Sequence, residues 1–480
     1  MNVLVIDVGT SGIRSAVIGA DSSVRTVHYR ALLPQTPAPG LVEFDPLTMA
    51  QAVSEVANQA LSCEGPVSCV GIANQRASSV VWERATGIPV APGIGWQDLR
   101  TVGTCLALQS EGLRLAPNTS ATKLAAILDM ADPDRDRDLC FGTVDTWVAW
   151  TLSDGRCHVT DPTNAGLTGM LTSDGSGWDA RILEALRIPE RMLPTILDSS
   201  GIICEASALP GAPPLAGIAG DQQASLVGQG CTRAGLAKAT FGTGGMLDLC
   251  TGPKRPSFSM RGESGTFPII AWRRGTRTFW GVEAVMLAAG MNIEWLRDDL
   301  GIIASAEASE EVASGCTSTG DVWYVPALLG LGTPLWDFGA RGTFVGITRG
   351  TGRAELVRAV LEGVAHRGAD LLESAEADTG LKVSSLRVDG GMSANSVFLQ
   401  ALANATQRPI EVSPVLEATT LGAAYLAGLA VGIWADEEEV ADGWCPKAVI
   451  EPNGLSDRDR WRDARSRALA TIPALSELDF

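Results

Sequence analysis

Three short apolar runs open the chain: Val3–Ile6, residues 13–18 and residues 24–33, parted by a glycine turn and by Asp21-Ser22. Such runs between turn residues predict an antiparallel meander of three strands. Leu47–Leu61 instead sets its apolar residues at helical spacing behind Asp45-Pro46, a start signal for a helix. Val67–Ala73 reads as a buried strand with Asn74, Gln75 and Arg76 at its C-terminal end, where ligands collect in open α/β sheets. Val80–Trp82 returns as another strand. After a mostly helical stretch, Gly217–Ala219 is a short strand delivering Gly220, Asp221, Gln222 and Gln223. The strand pattern restarts at Gly235, and two helices follow, Glu355–Ala377 and Ser396–Thr406, the second launched directly from Gly390-Gly391. Leu421–Trp434 is the longest apolar run; rich in Gly and Ala and too short to span a bilayer, it predicts a buried helix.

The turns between these runs carry the candidate chemistry. Val8-Gly9-Thr10-Ser11-Gly12 and Phe241-Gly242-Thr243-Gly244-Gly245 repeat one another about half a chain apart, and Asp389-Gly390-Gly391 forms a third turn ahead of Asn395. Glycine lets backbone N–H groups turn toward a phosphate without a Cβ in the way, and Thr or Ser adds a hydroxyl donor. A single such turn is far more often a plain hairpin. The repeat predicts more: two related domains gripping one polyphosphate in a cleft between them. The loop around Ala224–Gly235 is where they would join, giving domains over residues 1–227 and 228–480.

Composition narrows the partners. The 480 residues suffice for two or three domains, and 45% hydrophobic with 19% charged residues is ordinary for a folded soluble protein. A formal charge of −18 without clustered Lys and Arg argues against nucleic acid. Met1 and Asn2 lead straight into a strand, so no secretory leader is expected, and nothing points to a membrane. The ten cysteines form no C-x-x-C pair and read as reduced thiols of a cytoplasmic protein. His28, His158 and His366 lack metal-ligand spacing. The expected partner is a small molecule, with a homo-oligomer left open.

Val42-Glu43-Phe44-Asp45-Pro46, Asn74-Gln75-Arg76, Phe141–Trp147, Gly217–Gln223, Pro326-Ala327, Trp336-Asp337, Ala340-Arg341-Gly342 and Asp389-Gly390-Gly391 occur in this order along nearly the whole chain. Together they resemble the FGGY family of carbohydrate kinases, most closely its glycerol-phosphorylating branch. The resemblance implies an α/β fold of two actin-like, ribonuclease-H-like domains closing over ATP, Mg²⁺ and a polyol or sugar. Carried over by position, Asp221 matches the catalytic base that accepts the proton of the attacking hydroxyl, and otherwise would merely cap the segment starting at Gln222. With an unperturbed pKa of ~3.9 it is a weak base, so positioning would count for more than basicity. Asp7 matches the carboxylate facing Mg²⁺, directly or through water. Thr10, Ser11 and Arg14 match contacts to the transferring phosphate, Arg14 alternatively being a solvated strand residue. Thr243 matches the second phosphate loop. Gly290, Glu294, Gly391 and Asn395 match positions around the adenosine, with Glu294 standing where the branch normally has Gln.

The acceptor pocket is kept only in part. Arg76, Trp96, Asp221 and Gln222 match the branch, but its Glu after the arginine is Ala77 here, its pocket Tyr is Asn118, and its pocket Phe is Met246. A site built to hydrogen-bond hydroxyls loses discrimination when a partner disappears. The expectation is therefore an ATP-dependent kinase of a four- or five-carbon polyol or ketose. The alternatives are a kinase of glycerol itself and a non-catalytic nucleotide-binding regulator. Retention of Asp7, Arg76 and Asp221 together speaks against the regulator, since a pure binder needs no base.

Overall fold

The computed structural model describes residues 1–415 and 417–479. Its first sheet has six strands: β1 (Asn2–Val8), β2 (Gly12–Gly19), β3 (Val24–Ala31), β4 (Cys69–Asn74), β5 (Ser200–Glu205) and β6 (Pro214–Gly220), in the order β5-β6-β4-β1-β2-β3. The second sheet has seven: β7 (Ala237–Phe241), β8 (Gly245–Gly252), β9 (Phe267–Arg274), β10 (Arg277–Met286), β11 (Leu386–Asp389), β12 (Ile410–Val412) and β13 (Ala448–Ile450). Their order is β9-β10-β8-β7-β11-β12-β13. The hairpin β1–β2 is antiparallel while β1, β4 and β6 run parallel. The hairpin β7–β8 and the parallel strands β7, β11 and β12 reproduce that plan. The repeat read from the two glycine turns is therefore a repeat of topology.

Side-chain alternation builds the core of the first sheet. Val3 and Val5 face one side, and Leu4, Ile6 and Val8 the other, all fully buried. The even side is covered by helix α1 (Pro46–Glu64), whose Met49, Ala52, Val53, Val56, Ala57 and Ala60 form its buried stripe. Asp45 caps this helix by accepting from the Leu47 N–H at 3.1 Å, and Gly65, at φ 77°, closes its C-terminus.

The odd side is covered by a helix from the far end of the chain. Helix α2 (Asp221–Gly228) follows β6, and long helix α3 (Arg353–Thr379) and α4 (Ser396–Thr406) pack on the second sheet. Helix α5 (Ala418–Val431) lies against β1, β4 and β6 and crosses α2. Glycines permit the crossing: a Cβ on Gly422 would stand 1.7 Å from the Ala224 carbonyl oxygen, and one on Gly228 1.9 Å from that of Ala418. Gly71 and Gly217 likewise let α5 rest on the sheet backbone, near Ala423 and Ala427. The pair α2–α5 is thus the joint between the halves.

Several boundaries differ from the sequence reading. The third strand stops at Ala31, and Ala224–Gly228 belongs to α2, so the connection between the sheets is the shorter stretch from Gln229 to Leu236. The buried helix expected at Leu421–Trp434 starts at Ala418 and ends at Val431, where Gly432 takes the left-handed conformation. A 3-10 turn, Gly391–Ala394, separates Gly390 from α4. Among the described residues, no helix is long and apolar enough to cross a membrane.

The three histidines stay apart. His158 packs edge-on against Trp82 at 5.5 Å, with its Nε2 2.7 Å from the Phe141 carbonyl oxygen. Burial pushes its pKa down to about 4, against the Phe141 carbonyl, which favours the charged ring, and with Arg84, which opposes it. Because the unfolded chain binds the proton first, His158 costs stability as pH falls from the unfolded value through the folded one. Between about pH 6.5 and pH 4 this amounts to about 3 kcal/mol. Unfolding curves of wild type and His158→Gln should therefore converge toward pH 4, and parallel pH dependences would overturn the assignment.

Candidate active site

Three segments of the first sheet bring charged side chains to one edge. Asp7 sits near the end of β1, Arg76 just past β4, and Asp221 at the start of α2, directly after β6. Parallel neighbours β1, β4 and β6 deliver these three side chains to one edge because their C-terminal ends are in register. The Asp221 segment is held from behind: the Gly220 N–H donates to Thr163 Oγ1 at 2.8 Å, and Thr163 is in turn held by the buried Asp161.

Arg76 is the hub. Its Nε lies 3.3 Å from Asp221 Oδ1 and its Nη1 2.8 Å from Glu283 Oε2, with Gln223 Oε1 at 3.3 Å and Met246 Sδ at 3.8 Å. Burial works against its charge, but Glu283 and Asp221 more than offset this and hold the guanidinium firmly protonated. Burial raises the Asp221 carboxyl above the usual range, opposed by Arg76 and by the Gln222 N–H that it accepts at 2.8 Å. The weak base of the sequence reading is therefore a stronger one in place. Asp221 is the first residue of α2 rather than its cap, which is Gly220.

The expected acceptor wall comes together through one buried lysine. Lys123 donates to the carbonyls of Trp96 at 3.0 Å and Asn118 at 3.2 Å, and Ser120 Oγ donates to the Ala77 carbonyl at 2.9 Å. Burial lowers the Lys123 pKa to about 7, against the favourable charge of Asp98. The Trp96 indole N–H donates to Thr10 Oγ1 at 3.1 Å, joining the acceptor wall to the first glycine turn. Ala77 takes φ 63° and is buried, whereas Asn118 is exposed. Gln222 is drawn toward the second sheet, its Oε1 accepting from Lys238 Nζ at 2.6 Å.

Asp7 is pushed up to about 7, first by burial and then by Asp221 and Glu417, with Arg14 acting the other way. Arg14 lies 3.4 Å from Asp7 and forms an ion pair with Glu417, just before α5. It is a paired residue rather than a solvated strand residue. Carboxylates outnumber cations here, a setting that fits a divalent cation held by one carboxylate, phosphates and water. Among the described residues there is no group of three or more His, Cys, Asp or Glu that could hold a metal ion.

The remaining glycine turns form a second cradle. The Gly290 N–H donates to the Gly242 carbonyl at 2.8 Å and the Ala289 N–H to that of Thr243 at 2.8 Å. Gly390, at φ 88°, lies so close to Phe241 that a Cβ would meet its carbonyl oxygen at 2.5 Å, while the space above Gly391 is open. Thr243, Glu294 and Gly391 are exposed at this end, and Ser11 is exposed on the opposite turn. Asn395 is engaged elsewhere: its Oδ1 caps α4 by accepting from the Phe398 N–H at 2.9 Å, and its Nδ2 donates to Ser309 at 3.0 Å. A tight backbone cradle without Cβ atoms fits a nucleotide's phosphates.

The sequence reading missed Glu283, Lys238, Asp248, Glu417 and Lys123. A signal existed for the first three: single charges inside otherwise apolar strands, at positions 238, 248 and 283. Glu417 carried none, because its partner Arg14 lies at the other end of the chain. Lys123 bonds to the carbonyls of Asn118 and Trp96, which no charge pattern marks.

Two ribonuclease-H-like domains, each with a glycine-turn hairpin, and a carboxylate at the strand ends of the first define an ATP-dependent phosphotransferase acting on an alcohol. Models of the FGGY family of carbohydrate kinases match residues 2–228 (N-terminal domain) and 237–431 (C-terminal domain). The chain belongs to this family, whose kinases of sugars and polyols use ATP. A glycerol kinase of Parabacteroides distasonis is 39% identical, the match covering 97% of this chain and 98% of that one. The solved glycerol kinase of Plasmodium falciparum with ADP superposes at a TM-score of 0.91 with 27% identity, covering 98% of this chain and 99% of that one. The xylulose kinase of Rhodospirillum rubrum shares the fold at a TM-score of 0.86 and 20% identity, covering 100% of both chains.

Proposed function

We propose that this enzyme transfers the γ-phosphate of ATP to a primary hydroxyl of glycerol, with Asp221 as the base. The observation that carries the reading is the Asp221 carboxylate, held 3.3 Å from Arg76 with its basicity raised, at the strand ends where β1, β4 and β6 come into register. Relatives named glycerol kinase, matching this chain over nearly its full length, support glycerol as the acceptor. So does Glu283: the sequence reading counted one pocket carboxylate as lost at Ala77, yet a carboxylate from β10 stands against Arg76.

In this reading Arg76, Trp96 and Gln222 orient the acceptor, with Ala77, Asn118 and Met246 lining the pocket, and Asp221 takes the hydroxyl proton as the oxygen attacks in line. Thr10, Ser11 and Thr243 would hold the phosphates from opposite sides, and Arg14 would turn from Glu417 toward the transferring group. Gly290, Glu294, Gly391 and, after release from its cap, Asn395 would surround the adenosine. Asp7 would hold Mg²⁺, which when bound neutralises charge on the phosphate oxygens.

A four- or five-carbon polyol or ketose is the second reading, favoured by the small Ala77 and flexible Met246 beside an exposed Asn118. ADP release across glycerol, erythritol, xylitol and xylulose separates the two. Glycerol should reach a kcat/KM of about 10⁴ M⁻¹s⁻¹ or more and lead the panel. A longer acceptor leading by about tenfold or more, a 1.4 kcal/mol preference, would move the assignment to that acceptor. ADP release with none of them would leave only nucleotide binding. The Ala77→Glu/Asn118→Tyr variant should shift preference further toward glycerol, and non-additively, because the two residues share a wall.

A further inference from the structure

Lys238 on β7, Asp248 on β8 and Glu283 on β10 stand directly opposite one another on three adjacent strands. They form one row of charges across the second sheet. Lys238 and Asp248 are wholly buried and paired at 2.8 Å. That leaves Glu283 next to a like charge, an arrangement that destabilises a sheet unless a cation closes the row. The cation comes from the other domain: Arg76 Nη1 lies 2.8 Å from Glu283 Oε2, with side-chain exposures of only 10% and 7%. The same row reaches back a second time, through Lys238 Nζ to Gln222 Oε1 at 2.6 Å.

From this row we infer that Glu283 is a positioning residue for the acceptor site, fixing the Arg76 guanidinium from across the domain interface. The inference rests on the proposed role of Arg76 in orienting the acceptor. The physical reason is one of alternatives. Among the described residues, Arg76 without Glu283 keeps Asp221 as its one ion pair within 4 Å, with Asp248 as a more distant charge. It would fold onto Asp221, away from the acceptor and across the base. Glu283 without Arg76 is a buried carboxylate facing Asp248 with no cation of its own. Each domain therefore supplies the charge that makes the other's arrangement stable, and the acceptor site is complete only when the two sheets are packed together. The row meets the lead-in to the second glycine turn at Lys238, whose Nζ donates to Thr240 Oγ1 at 3.1 Å. Glu283 stands at the other end of the row and pairs with Arg76, so the effect of changing Glu283 should fall on the acceptor side.

The test compares full-length wild type, Glu283→Gln and Glu283→Asp, with ATP and with glycerol or whichever acceptor leads the panel. The acceptor KM of Glu283→Gln should rise by about tenfold or more while that for ATP stays within about threefold, and Glu283→Asp should recover part of the loss. A merely structural role would move both KM values together. A folded Glu283→Gln with unchanged acceptor KM, or with both KM values raised equally, overturns the inference. If Glu283→Gln fails to fold, thermal melts decide: Arg76→Met should melt below Arg76→Met/Glu283→Met, because the double variant no longer buries an unpaired carboxylate. A double variant melting no higher than the single one overturns the inference too. Failure of wild type to phosphorylate any acceptor would overturn the functional reading instead, and the melts would still test the charge row.

Discussion

Asp221→Asn should cut kcat by about 10²–10⁴ while leaving the affinities for ATP and acceptor nearly unchanged. The amide keeps the shape of the carboxylate and one acceptor oxygen, so the acceptor hydroxyl can still be received. What it lacks is a site for the proton. The environment argues for a large effect: burial has already raised the carboxyl's proton affinity, and Arg76 at 3.3 Å keeps it oriented without quenching it. Folding should survive, because Arg76 keeps its pair with Glu283 and the Gly220 N–H keeps its bond to Thr163. Steady-state kinetics with a thermal melt as control check this. A folded variant retaining more than about a tenth of the wild-type kcat would remove Asp221 from proton transfer.

A single methyl group at the joint should have the largest structural effect. Gly422→Ala would put a Cβ 1.7 Å from the Ala224 carbonyl oxygen, and the atoms in its way are backbone, which has no rotamer to move into. Helix α5 would have to leave α2, and with it the sheet positions at Gly71 and Gly217 that it also contacts. Overpacking against a side chain costs about 1–3 kcal/mol, and a backbone clash at a joint of two domains should exceed that. The expected outcome is a melting temperature lower by about 10 °C or more, or loss of soluble protein. Gly103→Ala is the control: no atom lies within 4 Å of an added Cβ there, and it sits in a helix, where Ala is favoured. Equal melting of the two variants would contradict the close crossing.

The local features of this chain were legible in its residues. Strands β1 and β2, helix α1 with its Asp45-Pro46 start, and the paired glycine turns follow from alternation, capping and φ freedom, which act over a few neighbours. Asp7, Arg76 and Asp221 could be placed because each ends a strand, and parallel strands carry their ends to one edge. Helix boundaries were less legible, since α2 begins at Asp221, immediately after β6, and α5 begins where it meets α2 rather than where its apolar run begins.

Tertiary structure alone decided which charges face each other. The pairs Arg76–Glu283 and Arg14–Glu417 join residues far apart along the chain, and no spacing encodes them. Packing also sets the Lys123 contact with the Trp96 carbonyl and the Asn395 bond to Ser309, whereas the Asn395 cap on the Phe398 N–H, three residues on, is a local feature. A proton affinity is likewise a property of surroundings: Asp221 and Asp7 are ordinary carboxylates by sequence and are raised by burial, with Arg76 and Arg14 as counterweights. The sequence by itself determined the backbone plan and the residue types, because these depend on local sterics and periodicity. The acceptor pocket's electrostatics came only with the packing of two domains, because desolvation and charge pairing exist only between surfaces brought together.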